Sequence, residues 1–164
     1  NLGVQKLLPQ DWKCFAWIDA DIEFESSTWV SDTLKILNGC KDVVQIFSHC
    51  VDMNKDGSSL NHFNGFGYSY CKNKNFTTKG INYWHPGYAW AITRDAYDKI
   101  GGLYDDGILG SGDSIMAMSF INSVDKMMNF YTHQTRTSTE KSIRKMLFVI
   151  GKSKRNNRNV VVNR

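Results

Sequence analysis

Two carboxylates flank one small residue at Asp19-Ala20-Asp21, directly after an apolar run at residues 12–18. That run predicts a strand buried on both faces, and open α/β sheets bind their ligands at the carboxyl ends of strands. Mg²⁺ and Mn²⁺ prefer hard oxygen ligands and complete their shells with phosphate and water. We therefore predict a metal at Asp19 and Asp21, with the Asp19-Ala20-Asp21 segment binding a diphosphate. The alternative is a solvated acidic turn.

A second candidate is Asp113, which follows Gly110-Ser111-Gly112 where a helix is predicted to begin. Glycines let the backbone approach a ligand closely, and a carboxylate at a helix start can be held in a fixed orientation. Asp113 is thus a candidate general base. The alternative is that its side chain caps the helix, and the two roles can coexist.

Aromatic side chains cluster around the turn at Pro86-Gly87, and rings of this kind can stack on sugar faces. Buried packing is the competing interpretation. The residues predicted to contact an acceptor or sugar are Trp84, His85, Gly87, Trp90, Gly110, Gly112 and Asp113.

Taken together, these motifs resemble those of glycosyltransferases of the GT-A fold, in particular the family-2-like enzymes of large viruses and bacteria. The similarity runs through residues 12–24, 85–90 and 101–113. It implies that Asp19 and Asp21 hold Mn²⁺ or Mg²⁺ with a nucleotide-diphosphate sugar, and that Asp113 deprotonates an acceptor hydroxyl. The predicted function is sugar transfer from that donor to a glycan or another hydroxyl compound.

This sequence differs from the GT-A pattern in two respects. GT-A domains place a nucleotide-binding half of roughly a hundred residues before this motif, as two-halved doubly wound sheets do. Only 18 residues precede Asp19, so we expect the later half of such a domain, in a fragment or a truncated or inactive form. Ile150 stands where related enzymes carry a metal-binding His. His133 is a weak substitute ligand, because a lone His in a strand-like stretch is more often structural.

The hydrophobic pattern around these residues predicts an α/β fold, with a mainly parallel sheet and flanking helices that would position the candidate site. We expect a partial GT-A-like core over residues 1–149 and a basic tail over 150–164. Helices are predicted at 2–8, from 29 to near 38–39, at 94–100, 114–124 and 140–149, and strands at 12–18, 43–47, 88–92 and 130–133. Residues 12–47 would then form a β-α-β unit.

The polar segment at residues 52–82 is too long for an ordinary connection, which favours a functional loop or a small irregular excursion. Its first residues, Asp52 to Gly57, copy half of an EF-hand calcium loop. Phe63 stands where that loop needs a bidentate Glu, so an Asx-rich turn is the better interpretation.

The cysteines and the charges bear on location and partners. Four cysteines without a CxxC pair favour reduced thiols in the cytoplasm, or in a host cytoplasm for a viral protein. No apolar run is long enough to span a membrane. Residues 141–164 carry eight Lys and Arg and no acid, so a nucleic-acid-binding tail and a solvated end are both open. An inactive sugar- or nucleotide-binding module is a further alternative.

Overall fold

A computed structural model of the chain describes residues 1–39, 41–72, 75–77, 79–105, 111–124 and 161–162. The predicted α/β class is confirmed. The helices are α1 (Leu2–Leu7), α2 (Trp29–Gly39), α3 (Phe66–Cys71), α4 (Arg94–Ile100) and α5 (Gly112–Phe120). The strands are β1 (Cys14–Ile18), β2 (Val43–Gln45), β3 (His49–Met53), β4 (Ser59–Gly65), β5 (Trp84–His85), β6 (Ala89–Thr93) and β7 (Val161–Val162).

The strands form two small mixed sheets, in the orders β1-β6-β2-β7 and β3-β4-β5. The pairs β2/β7 and β4/β5 are parallel, whereas β3/β4 is antiparallel. Strands β1 and β6 also run in opposite directions, because Asp19 N–H bonds Tyr88 O at 2.9 Å and Arg94 N–H bonds Lys13 O at 2.7 Å. The prediction of a mainly parallel sheet is therefore corrected. The predicted strand-helix-strand order at residues 12–47 is present as β1, α2 and β2, and β6 lies between the two strands in the sheet.

The chain divides into two compact units. One comprises Asn1–Phe15 and Ile92–Asn159, and the other comprises Ala16–Ala91 and Val160–Arg164. The first contains α1, α4 and α5, and therefore Asp113. The second contains the Asp19-Ala20-Asp21 motif, α2, α3 and the three-stranded sheet.

In the first unit, an aromatic cluster holds the segment before β1 against α4. The rings of Trp12, Phe15 and Tyr97 meet edge to face, with centroids 5.4 to 5.7 Å apart. Helix α4 covers the predicted residues because Thr93 Oγ1 accepts a hydrogen bond from Ala96 N–H at its start. Gly101, at φ 76°, ends it in the left-handed conformation that glycine adopts without strain.

Helix α5 begins two residues before its predicted start and supplies much of this unit's core. Five consecutive residues of this helix, 115–119, are buried. The apolar residues among them are Ile115, Met116, Ala117 and Met118, and the polar one is Ser119. The predicted strand at 130–133 and helix at 140–149 lie outside the described residues, whereas β7 falls within the predicted basic tail.

Strand β1 is not buried on both faces, contrary to the prediction. It stands first in its sheet order, with β6 as its neighbour there, and Ala16 and Ile18 are exposed. The apolar composition of this segment therefore predicted more burial than β1 has as the first strand in the order.

Much of the segment at residues 52–82, predicted to be a functional loop or a small irregular excursion, forms regular structure instead. Strands β3 and β4 make a hairpin whose turn is closed by Asn54 N–H bonding Ser58 O at 2.9 Å. The predicted Asx turn is confirmed, because Asp56 Oδ1 accepts from Ser58 N–H at 2.9 Å and Gly57 has φ 82°. Helix α3 and β5 follow this hairpin. Residues 59–62 are all exposed, and the sequence of β4 does not alternate apolar with polar residues.

Candidate functional site

The turn between β5 and β6 is fixed by a buried amide. The side chain of Gln45 is 0 % exposed, and its Nε2 donates to His85 O at 2.9 Å and to Gly87 O at 3.3 Å. Its Oε1 accepts from Gly67 N–H at 2.9 Å, at the start of α3. One side chain thus connects β2, the turn and α3, with its donors and its acceptor all used.

The other two carbonyl groups of the same turn are also bonded. Trp90 Nε1 donates to Pro86 O at 2.7 Å, and Asp19 N–H donates to Tyr88 O at 2.9 Å. Every main-chain carbonyl from residue 85 to 88 therefore has a partner. The last of these bonds ties the first aspartate of the predicted metal motif to the turn.

Replacing Gln45 with leucine should destabilise the protein by about 2–4 kcal/mol. The change leaves His85 O and Gly67 N–H without their side-chain partner, and each unsatisfied buried group costs about 1–3 kcal/mol. Urea unfolding measures the difference. Gln5→Leu is the matched control, because residue 5 is exposed and surface changes usually stay within about 0.5 kcal/mol. A loss below about 1 kcal/mol for Gln45→Leu would show that the amide network is unimportant.

Tyr88 is held in a conformation that non-glycine residues rarely adopt. Its φ is 75°, in the left-handed region. Its ring stacks on that of His85, with centroids 3.9 Å apart and an interplanar angle of 23°. Its hydroxyl donates to Asp52 Oδ1 at 2.7 Å. Both ends of this half-buried side chain are therefore fixed.

The charges of Asp19 and Asp52 act on the same pair of rings. Burial lowers the pKa of His85, although the negative charges of Asp52 and Asp19 oppose the shift. Burial also raises the pKa of Tyr88, and the hydrogen bond and charge of Asp52 raise it further, with smaller contributions from the charges of Cys50 and Asp19. The phenol therefore stays protonated and remains a hydrogen-bond donor. The structure thus brings together Asp19 and His85, which the sequence predicted, with Asp52, which it did not.

Cys50 lies on the same strand as Asp52 and is half-buried. Burial, followed by the charge of Asp52, raises its pKa to about 12. The cysteines that the structure describes, Cys14, Cys50 and Cys71, carry no disulfide.

The predicted diphosphate segment lies at the surface. Asp19, Ala20 and Asp21 are all exposed and directly follow β1. Across the described residues, no group of three or more His, Cys, Asp or Glu side chains could hold a metal ion. Two carboxylate side chains fit a Mg²⁺ or Mn²⁺ ion that takes its other ligands from phosphate and water, and they do not fit an all-protein cage.

The two tryptophans predicted to contact a sugar, Trp84 and Trp90, are core residues. Trp84 and Trp90 are 5 % and 2 % exposed, so their ring faces cannot receive a sugar. Trp84 meets Phe66 edge to face at 5.4 Å, and Trp90 stacks on Trp17 at 6.3 Å. The prediction of sugar contact is therefore corrected to packing for these two. Gly87 is likewise buried, whereas the rings of His85 and Tyr88 are half-buried.

Asp113 is exposed in the first turn of α5. The N-cap position belongs to Ser111, which has φ 64°, so the proposed N-cap role of Asp113 is corrected. Gly112 leaves open space, because an added Cβ would meet no described atom closer than Tyr104 Cδ1 at 4.0 Å. Gly110 and His133, which were also predicted to contribute to the site, lie outside the described residues.

The sequence interpretation missed the roles of Gln45, Asp52 and Tyr88. In β3 the half-buried Cys50 and Asp52 alternate with the exposed His49, Val51 and Met53, so the apolar residues of this strand do not mark its buried face. This period of two is typical of a strand, but it appears in the burial of these residues and not in their hydropathy.

No protein-family model, curated protein or solved structure matches this chain. None of the helices that the structure describes has the length and apolar character needed to cross a membrane. The function is therefore inferred from the chain's own residues and contacts.

Proposed function

We propose that this chain binds the metal-complexed diphosphate of a nucleotide sugar through Asp19 and Asp21. We further propose that it acts as a glycosyltransferase, which transfers the sugar to a hydroxyl acceptor. The observation that carries the proposal is the placement of the motif. Both carboxylates are exposed directly after β1, and the Asp19 backbone is tied to a turn whose carbonyls are all bonded. The order of the three motifs, which resembles that of GT-A enzymes, supports the same function.

Asp19 and Asp21 would hold the ion, Mn²⁺ or Mg²⁺, through their carboxylate oxygens. The ion supplies positive charge that stabilises the departing diphosphate. Oxygen ligands suit both cations, and a site with few protein ligands leaves room for the phosphates. Metal binding should therefore depend strongly on the diphosphate.

Asp113 is the proposed general base, on the strength of the resemblance and of its exposure in the first turn of α5. As the acceptor oxygen bonds to the anomeric carbon, the bond from that carbon to the diphosphate breaks. The carboxylate takes the proton of the acceptor hydroxyl. The acceptor is a glycan or another hydroxyl compound.

Calorimetric titration tests the binding function. The chain is titrated with Mn²⁺ alone, with uridine, guanosine, thymidine, adenosine and cytidine diphosphates alone, and with each in the presence of Mn²⁺. We expect at least one nucleotide to bind about tenfold or more tightly with Mn²⁺ than without it, a coupling in the usual range for two linked ligands. The corresponding nucleotide sugar should compete for the same site.

The outcomes separate the alternatives. Absence of metal-coupled binding by every nucleotide would contradict the proposal. Metal-coupled binding without transfer to any acceptor would favour an inactive binding module. Strong binding of duplex DNA that falls steeply with salt, in the absence of nucleotide binding, would instead favour the nucleic-acid alternative.

A further inference from the structure

The conformation of Tyr88 bears directly on the position of Asp19. Tyr88 O accepts the N–H of Asp19 at 2.9 Å, just after β1 ends. The direction of that carbonyl depends on the backbone dihedrals of Tyr88, whose φ is 75°. A shift of Tyr88 to the ordinary β region would redirect the carbonyl and remove the tie.

The left-handed conformation of Tyr88 must be maintained by its surroundings, because a Cβ disfavours it. The preceding carbonyls are fixed by Gln45 and Trp90, but these contacts act on residues 85–87. The side chain of Tyr88 is fixed separately, by the 3.9 Å stack on His85 and the 2.7 Å bond to Asp52 Oδ1.

Asp52 is well placed to act on Tyr88 over a long sequence distance. It is the penultimate residue of the hairpin strand β3, opposite Asn61, and is half-buried. Its partner is 36 residues away in sequence. A hydrogen bond from a phenol to a carboxylate is charge-assisted and stronger than one between neutral groups.

We propose that Asp52 and Tyr88 are positioning residues for the Asp19-Ala20-Asp21 motif. The Asp52 carboxylate fixes the Tyr88 hydroxyl, the fixed side chain keeps the backbone left-handed, and the Tyr88 carbonyl then holds the Asp19 N–H. The functional consequence, orientation of the Asp19 carboxylate toward a cation and diphosphate, rests on the proposed function. The link from the Asp52 carboxylate to the Asp19 backbone is independent of the proposed function, because it consists of contacts within the chain.

Two measurements on the full chain test this link. Hydrogen exchange of the Asp19 amide, followed by NMR, reports the bond to Tyr88 O without any ligand. Calorimetry with Mn²⁺ and the nucleoside diphosphate that binds best reports the consequence for the site. Far-UV circular dichroism and urea unfolding confirm that each variant is folded.

The variants separate the hydroxyl from the carboxylate. Tyr88→Phe removes one oxygen, Asp52→Ala removes the acceptor, and Asp52→Asn keeps a side-chain oxygen that can accept from Tyr88. Asp11→Ala is the matched control, because it removes an exposed acid that follows α1.

We expect Tyr88→Phe and Asp52→Ala to speed exchange of the Asp19 amide by about tenfold, through more frequent local opening. Both should weaken the Mn²⁺–diphosphate complex by about 10–100-fold, the usual effect of losing a partner behind a metal ligand. Asp52→Asn should restore both quantities to within a few-fold of wild type. Asp11→Ala should change neither.

Exchange and affinity equal to wild type in a folded Tyr88→Phe protein would overturn the proposal. A failure of Asp52→Asn to recover either quantity would also overturn it, because the hydrogen bond would then not be the cause. Should wild type bind no metal-coupled diphosphate, the proposed function falls while amide exchange still decides the link. Should Asp52→Ala fail to fold, Tyr88→Phe and Asp52→Asn decide it.

Discussion

Asp21→Ala should weaken Mn²⁺-dependent binding of a nucleoside diphosphate by at least about 100-fold. Removing a residue that only supports a metal ligand lowers metal affinity by about 10–100-fold. Removing a ligand itself should lower the affinity by at least as much. The site has few carboxylates to lose, because no group of three or more metal-binding side chains occurs among the described residues. Asp19→Ala should have an effect of the same size. Calorimetry with and without Mn²⁺ measures both.

The control for this experiment lies two residues further along the chain. Glu23→Ala removes the same charge from an exposed position close to the motif. It should leave the metal-coupled affinity within a few-fold of wild type, because screened surface charges contribute little. Equal weakening by Glu23→Ala and Asp21→Ala would show a diffuse electrostatic effect. Equal binding by wild type and Asp21→Ala would exclude a metal role for that carboxylate.

Asp113→Asn should lower the rate of sugar transfer by about 10²–10⁴, the usual cost of removing a general base. The amide keeps the shape of the side chain but cannot take a proton from the acceptor hydroxyl. Affinity for the nucleotide sugar should stay nearly unchanged, because the resemblance gives Asp113 no contact with the diphosphate. Release of nucleoside diphosphate in the presence of an acceptor measures the rate, and calorimetry measures the affinity.

Asp95→Asn is the matched control, because Asp95 is an exposed acid in the first turn of α4, as Asp113 is in α5. Each change removes a favourable charge from a helix start and should cost about 0.3–1 kcal/mol of stability. Only Asp113→Asn should slow transfer. Full turnover in that variant would leave Asp113 with nothing beyond its stabilising effect on the helix.

Local signals predicted the elements whose ends are fixed by their own neighbours. Helix α4 occupies the predicted residues because its start and end use the adjacent Thr93 and Gly101. Helix α1 ends one residue before its predicted end, with Pro9 close behind. Neither needs information from distant parts of the chain.

Elements that depend on distant partners were harder to predict. Strand β4 exposes its first residues and is defined by pairing with β3 on one side and β5 on the other. Strand β1 has the composition of a central strand but stands first in its sheet order. Composition reports how apolar a segment is, whereas the partner strands decide its burial.

The candidate site divides in the same way. A carboxylate pair directly after an apolar strand is a local pattern, and the sequence located it. The bond from Tyr88 to Asp52 joins the turn between β5 and β6 to strand β3, 36 residues away, and no periodicity in the sequence indicates it. Gln45 was likewise hidden inside a strand otherwise expected to be apolar, although it is fully buried.

The amide of Gln45 also limits which residues evolution can place there. Its nitrogen faces two carbonyl oxygens and its oxygen faces an N–H group, so the two ends cannot be exchanged. Glutamate has nearly the same shape, but an ionised carboxylate would direct an acceptor and a negative charge at those carbonyls. Substitution tables that treat glutamine and glutamate as near equivalents therefore misjudge this position. Among natural variants of this chain, a glutamate at residue 45 would mark one whose turn is held by different contacts.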